Sequence, residues 1–290
     1  MKLTTPVTIE PLPQRFGFGD RFLFMGSCFA DSIGAIMQES GFDVTLNPFG
    51  VVYNPASVAQ SFARLASREP FTPADVVESE DIYTSFYHHS RFSRPSPEEF
   101  LADANAALED AAARFAAASV CVVTLGTSWV FRHKGRDMIV SNCHKIVASE
   151  FERERLSVEE SLGFLESFVA AHPEKKWIFT VSPIRYLAFG AHGNQISKAS
   201  LLLAVDALQR KYPDVSYFPA YEIMMDELRD YRFYEENMMH PSHQAVEHIF
   251  ECFKEFAIDP SCEEAMAAAR KAARAARHRK FQFGNPAPNQ

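Results

Sequence analysis

Cysteine is scarce in this sequence, and what there is shows no pairing pattern. The five residues, at positions 28, 121, 143, 252 and 262, form an odd set without the close spacings of a disulfide framework or a structural zinc site. Free thiols in a reducing compartment follow. Long apolar runs are missing too: residues 1–14 hold nothing of signal-peptide length, and no later stretch approaches the ~18 apolar residues of a membrane span. A soluble, cytoplasmic protein that binds no membrane is the expectation. Cations are outnumbered, 29 Lys and Arg against 37 Asp and Glu for a net charge of -8. That balance argues against a nucleic-acid surface, because neutralising phosphates needs clustered Lys and Arg. The basic stretch from Arg270 to Lys280 lies on an Ala-rich pattern and reads as a solvated helix face. Metal-ligand spacing is also absent, since His88 and His89 are neighbours and would point to opposite faces of a strand. Neither metal nor cofactor is expected, and no internal repeat is visible.

What is present is a large core. With 290 residues, 47% of them apolar, the chain can form one α/β domain over residues 1–260, with residues 56–118 as an insertion and helical segment and 261–290 as a basic helix and tail. Residues 284–290 read as disordered. Apolar runs at Arg21 to Met25, Phe42 to Leu46, Val120 to Leu125, Trp177 to Val181 and Val215 to Phe218 read as strands. Helical stretches separate them, including Asp31 to Glu39, Ser57 to Leu65, Ser96 to Ala118, a helix opened by the capping box at Ser157 to Glu160, and Ser197 to Leu208. The alternation predicts a parallel sheet covered on both faces. Val130 to Val140 reads as a hairpin, Gly190 to Gln195 as a polar loop containing His192, and Pro241 as the first residue of a helix from Ser242 to Phe256.

The stretch from Phe22 to Asp31 draws attention first. An apolar strand runs into Gly26 and Ser27, and a helix follows at once, so Ser27 is expected at a sheet's carboxyl edge beside a helix N-terminus. That setting suits an acyl-transfer nucleophile; it equally suits a helix-capping serine next to a buried cysteine. Gly126 and Thr127 follow the Val120 to Leu125 strand and imply a second site loop. His240, in a turn-rich loop after the last strand, could face the nucleophile. Cys143 beside His144 also invites a thiol reading, although sequence neighbours rarely form a nucleophile-base pair.

These residues resemble a known family. Gly26-Ser27-Cys28-Phe29-Ala30 is the signature of the GSCFA family, a branch similar to the SGNH/GDSL hydrolases, and the resemblance spans roughly residues 5–285. It extends to Asn47-Pro48-Phe49-Gly50 with Tyr53-Asn54-Pro55, Leu125-Gly126-Thr127, Asn142-Cys143-His144-Lys145, Val181-Ser182-Pro183 with Arg185, His192-Gly193-Asn194 and His240-Pro241-Ser242. What it implies is a three-layer flavodoxin-like SGNH-type α/β fold with a parallel sheet, helical and aromatic insertions and a C-terminal helix. It implies a serine-dependent hydrolase of ester bonds, acyl or acetyl, on a small molecule or an acylated glycan. Ser27 takes the nucleophile position and His240 the base. The backbone N–H groups of Ser27 and Gly50, with a donor from the Gly126-Thr127-Ser128 turn, would hold the oxyanion, and Asn142 and Arg185 would face the substrate.

The sequence departs from the pattern twice. Asn237 stands where an acid is expected, and the third block has no Asn. Asn237 could orient the imidazole through its side-chain oxygen, Glu235 or Glu236 could substitute, or a main-chain carbonyl could serve. The competing readings are a non-catalytic or weakly active binding protein on the same fold, and a thiol nucleophile at Cys28 or Cys143. Specificity is expected from the aromatic segment Tyr83 to Phe92 and from loops near Arg185 and His192. Oligomeric state is not legible.

Overall fold

Side chains alternate along a strand, and here the alternation separates two cores. In β1 (Arg21–Gly26), Leu23 and Met25 face one layer while Phe22 and Phe24 face the other. The same division runs through β5 (Val120–Leu125) and β9 (Lys176–Val181), which complete the centre of a parallel sheet flanked by β2 (Asp43–Leu46) and β10 (Val215–Tyr217). The sheet order is β2-β1-β5-β9-β10, all parallel. Numbered by sheet strands alone this is 2-1-3-4-5, the flavodoxin-like order, with its topological switch point between β1 and β5. The structure is a computed structural model that describes residues 4–283; the disorder expected for 284–290 lies outside those residues.

Helices cover both faces. α1 (Cys28–Glu39), α7 (His243–Ala257) and α8 (Glu263–Phe283) pack on one, where Phe29, Ile33, Ile249, Phe250, Phe253 and Met266 meet Phe22 and Phe24. α2 (Pro55–Ser67), α3 (Pro97–Ala117), α4 (Val158–Val169) and α5 (Gly190–Lys211) pack on the other, around the clustered rings of Phe62, Phe168 and Trp177. A short α6 (Ala220–Glu222) runs into a π-helical turn, Ile223–Leu228. Three layers result, the fold class the sequence implied.

Two small antiparallel sheets complete the chain. β3 (Val76–Ser79) pairs with β4 (Ile82–Ser85), while β6 (Trp129–His133) is flanked by β7 (Met138–Val140) and β8 (Phe151–Arg155). The Val130 to Val140 hairpin is thus present, with β8 added on its far side. Two boundaries differ from the sequence reading. α5 begins at Gly190, so the expected polar loop is its first two turns. α7 begins after Ser242, whose hydroxyl accepts from Ala245 N, so Ser242 is the N-cap and Pro241 stands outside the helix, bridged to Tyr234. A serine that satisfies an orphan helix donor sets the boundary more strongly than proline's tolerance for the first position. No helix among the described residues is long and apolar enough to cross a membrane.

Candidate active site

The turn after β1 is built around Gly26. Its φ is +143°, and a Cβ there would collide with the carbonyl oxygen of Thr124 on β5, so only glycine lets the two strands stay paired to their ends. Asn47 braces the turn from behind: its side-chain oxygen accepts from Gly26 N (2.8 Å) and its amide donates to Asp31 Oδ1 (2.7 Å). Ser27 follows as the N-cap of α1, its Oγ accepting from Phe29 N at 3.3 Å. The capping role read from the sequence is therefore observed. It leaves the hydroxyl proton without an acceptor among the described residues.

Ser27 is only 2% exposed, yet it opens onto a cavity of about 450 Å³. The cavity wall includes Cys28, Gly126, Thr127, Asn142, Arg185 and His240, drawn from the turns after β1, β5 and β9, the segment after β7 and the loop before α7. Residues more than two hundred positions apart thus meet around one space, at the switch point. No hydrogen bond joins Ser27 Oγ to the His240 ring. Among the described residues, no group of three or more His, Cys, Asp or Glu side chains is arranged to hold a metal ion.

Not every expected site residue lines this cavity. Gly50 lies behind the wall with φ +86°, where a Cβ would strike the His89 side chain. Within the aromatic segment, His89 reaches the cavity, whereas His88 is buried among Phe49, Phe71, Phe92 and Phe100 with Nδ1 on Ser85 Oγ (2.7 Å). Burial pushes the His88 imidazole down to about 3, so it is neutral. His192 lies in the first turn of α5 and is not on the wall. The wall is instead formed by Trp129 and Phe131 of β6, Tyr53, Val140 and Tyr186. Trp129 and Phe131 share a face of a strand, the alternation that could have flagged them.

The oxyanion donors expected from the sequence are already engaged. Ser27 N donates to Thr124 O, Gly50 N to Asn47 O, Gly126 N and Thr127 N to Tyr53 O, and Ser128 N to Ser197 Oγ, at 2.7–3.0 Å. On the cavity wall, the Cys28 backbone N–H in the first turn of α1 has no acceptor among the described residues. The Asn142 side-chain amide is in the same position, its oxygen being held by His144 N (3.0 Å). His144 itself is turned away, with Nε2 on Ser85 O at 2.8 Å. Burial pushes the Cys143 thiol up to about 11, against a thiolate there.

Asn237 governs His240. Its Oδ1 accepts from both Met239 N (2.8 Å) and His240 N (2.9 Å), which fixes the amide orientation and leaves Nδ2 facing His240 Nδ1 at 3.1 Å and Glu235 Oε2 at 3.3 Å. The expectation that Asn237 orients the ring through its oxygen is therefore corrected: the nitrogen does so. An amide N–H can only donate, so the neutral ring accepts at Nδ1 and carries its proton on Nε2. Glu235 meets the asparagine amide, not the imidazole. Arg185 fastens the same loop, donating from its backbone N to Met239 O and from Nη1 to Met238 O.

One residue behind the site was not anticipated. Lys198 of α5 is 1% exposed, and its Nζ donates at 2.7 Å to both Gly126 O and Ser182 O, tying the turn after β5 to the turn after β9. Its signal in the sequence is a lysine in register with Leu201, Val205 and Leu208 on a buried helical stripe.

A family model described as the GSCFA family matches residues 21–253. No curated protein matches the chain. Among solved structures it is similar to a Streptococcus pneumonia protein whose description proposes a platelet activating factor, at 12% identity and a TM-score of 0.42, over 81% of this chain and 83% of that one. It is also similar to a carbohydrate esterase family 3 protein from Talaromyces cellulolyticus, at 8% identity and a TM-score of 0.38, over 86% and 99% of the two chains. The matched span runs from the first residue of β1 into α7, and so takes in both the Ser27 turn and the His240 loop: the chain belongs to the GSCFA family.

Proposed function

We propose that the chain is a serine-dependent ester hydrolase of low turnover, with Ser27 as nucleophile and His240 as proton carrier. The observation that carries this reading is the shared cavity: a serine at the switch point, capping a helix and keeping its hydroxyl proton unassigned, faces the same space as an imidazole. Ser27 Oγ attacks the ester carbonyl and passes its proton to His240; the carbonyl oxygen takes the negative charge. The N-terminal end of α1, the Cys28 N–H and the Asn142 amide are the donors suited to that charge. Collapse of the intermediate expels the alcohol, which takes the proton from His240, and water then releases the acid from Ser27 by the same route.

Asn237 supports a second reading, binding without turnover. A ring whose Nδ1 accepts from Asn237 has its Nε2 lone pair occupied by a proton, so it can donate but not accept there. Serving as base requires the amide to rotate and give up two main-chain hydrogen bonds. A fluorophosphonate probe separates the two readings. The wild-type protein is expected to label slowly at Ser27 and Ser27→Ala not at all, with parallel loss of p-nitrophenyl ester hydrolysis. A folded wild-type protein that neither labels nor turns over any ester leaves the binding reading standing alone.

A further inference from the structure

Two cavities of different polarity meet at His240. Beyond Ser27, the 450 Å³ cavity is walled by Tyr53, Trp129, Phe131, Val140 and Tyr186. Past Cys28, Ile184 and His240, which line both, a second cavity of about 410 Å³ opens between α1, α7 and α8. Its wall sets Glu39, Glu235, Glu247 and Arg274 beside the apolar Phe29 and Ile36, a more polar lining than the first cavity has. The aromatic wall is held rigidly from behind. Trp129 Nε1 donates to Gly193 O at 3.3 Å, its ring meets Phe189 at 4.7 Å, and the Arg153 guanidinium lies over both rings.

The division assigns the two halves of an ester, if Ser27 and His240 act as proposed above. The group that returns the proton must stand beside the leaving oxygen, so the alcohol departs past His240 toward the charged cavity. The acyl group stays bonded to Ser27, inside the aromatic walls. We propose that the aromatic cavity is an acyl pocket for a chain well beyond acetyl in size, and that the polar cavity takes a hydroxyl-bearing alcohol. An acetyl group, roughly the volume of two waters at ~30 Å³ each, leaves most of that wall in contact with water. A medium-length aliphatic chain buries it, and each methylene adds about fourfold in binding.

Calorimetric titration of the wild-type chain with sodium octanoate and sodium acetate reads the pocket without any turnover. Octanoate, six methylenes longer, is expected to bind roughly 4,000-fold more tightly than acetate. Phe131→Ala is expected to weaken octanoate by roughly tenfold and acetate far less; if that variant fails to fold, Tyr186→Ala, on a half-exposed side chain, takes its place. Equal affinity for the two acids overturns the acyl pocket, whatever the catalytic outcome. In parallel, kcat/KM for p-nitrophenyl acetate, butyrate and hexanoate is expected to rise about fourfold per added methylene. Turnover that is fastest on acetate overturns the pocket while leaving the hydrolase intact, and tight octanoate binding with no turnover of any ester overturns the hydrolase while leaving the pocket.

Discussion

At Asn237 a single atom type decides what His240 can do. Its oxygen is fixed by the Met239 and His240 amides, and its nitrogen therefore faces the imidazole. Rotating the amide forfeits two hydrogen bonds worth about 0.5–1.5 kcal/mol each and turns an oxygen toward Glu235. Asn237→Asp keeps one carboxylate oxygen on the two amides and offers the other to a protonated Nδ1, freeing Nε2 to accept. In serine proteases the reverse change lowers turnover about 10⁴-fold through the wrong tautomer, so Asn237→Asp is expected to raise kcat on a p-nitrophenyl ester by roughly 10³ to 10⁴. A kcat no higher than the wild type's refutes the tautomer argument. Because Glu235 Oε2 lies 3.3 Å from the Asn237 nitrogen, the variant brings two carboxylates together and one is pushed up. Its activity should then fall as pH drops through that raised value, and adding Glu235→Gln should move the fall to lower pH.

Among the elements, the turns after β5 and β9 form part of the site wall, and α5 holds them together through Lys198. Burial pushes the Lys198 ammonium down to about 7, below the ~10.4 of an exposed lysine. Between those values the unfolded chain binds a proton that the folded chain lacks, so this group makes stability rise with pH across the window. Below about 7 both states are charged and the contribution is flat at its minimum. Lys198→Met removes that slope and leaves Gly126 O and Ser182 O without their buried donor, at about 1–3 kcal/mol each. The variant is expected to melt lower than the wild type, and the gap in Tm should widen between about pH 6 and about pH 9. A constant gap shows that Lys198 does not titrate in this range. The early start of α5 has a related cause. Gly190 and Gly193 are poor helix formers, but the Trp129 and Phe189 contacts and the Trp129 bond to Gly193 O hold that turn in place.

For the molecule as a whole, the sheet is stabilised from two sides by cores of different composition. Phe62, Phe115, Phe168 and Trp177 form a ring cluster within the α2–α5 layer. Phe62 is fully buried at its centre. Phe62→Ala is expected to lower unfolding stability by about 3–5 kcal/mol in urea titration; a loss below about 1 kcal/mol would mean that the layer collapses around the gap.

The strand runs were legible because a parallel strand covered on both faces is apolar throughout, as at Val120 to Leu125, and because Gly26, the Ser157 capping box and the Gly126 turn are local signals. Local signals end where a partner lies far along the chain. β8 was not legible because four of its five residues are charged and its pairing with β6 is a tertiary contact, and the Trp129 wall because its partners lie at segments distant in sequence. The state of the expected oxyanion donors was hidden for the same reason: whether Ser27 N and Gly126 N are free depends on Thr124 O and Tyr53 O. The order of the parallel strands and the helices between them, the serine after the first strand and the distant histidine were determined by the sequence itself. Tertiary structure alone decided which amides remain available, which way the Asn237 amide turns and which walls surround Ser27. Hydrogen-bond direction and cavity shape arise from atoms brought together by folding, and no residue carries either property by itself.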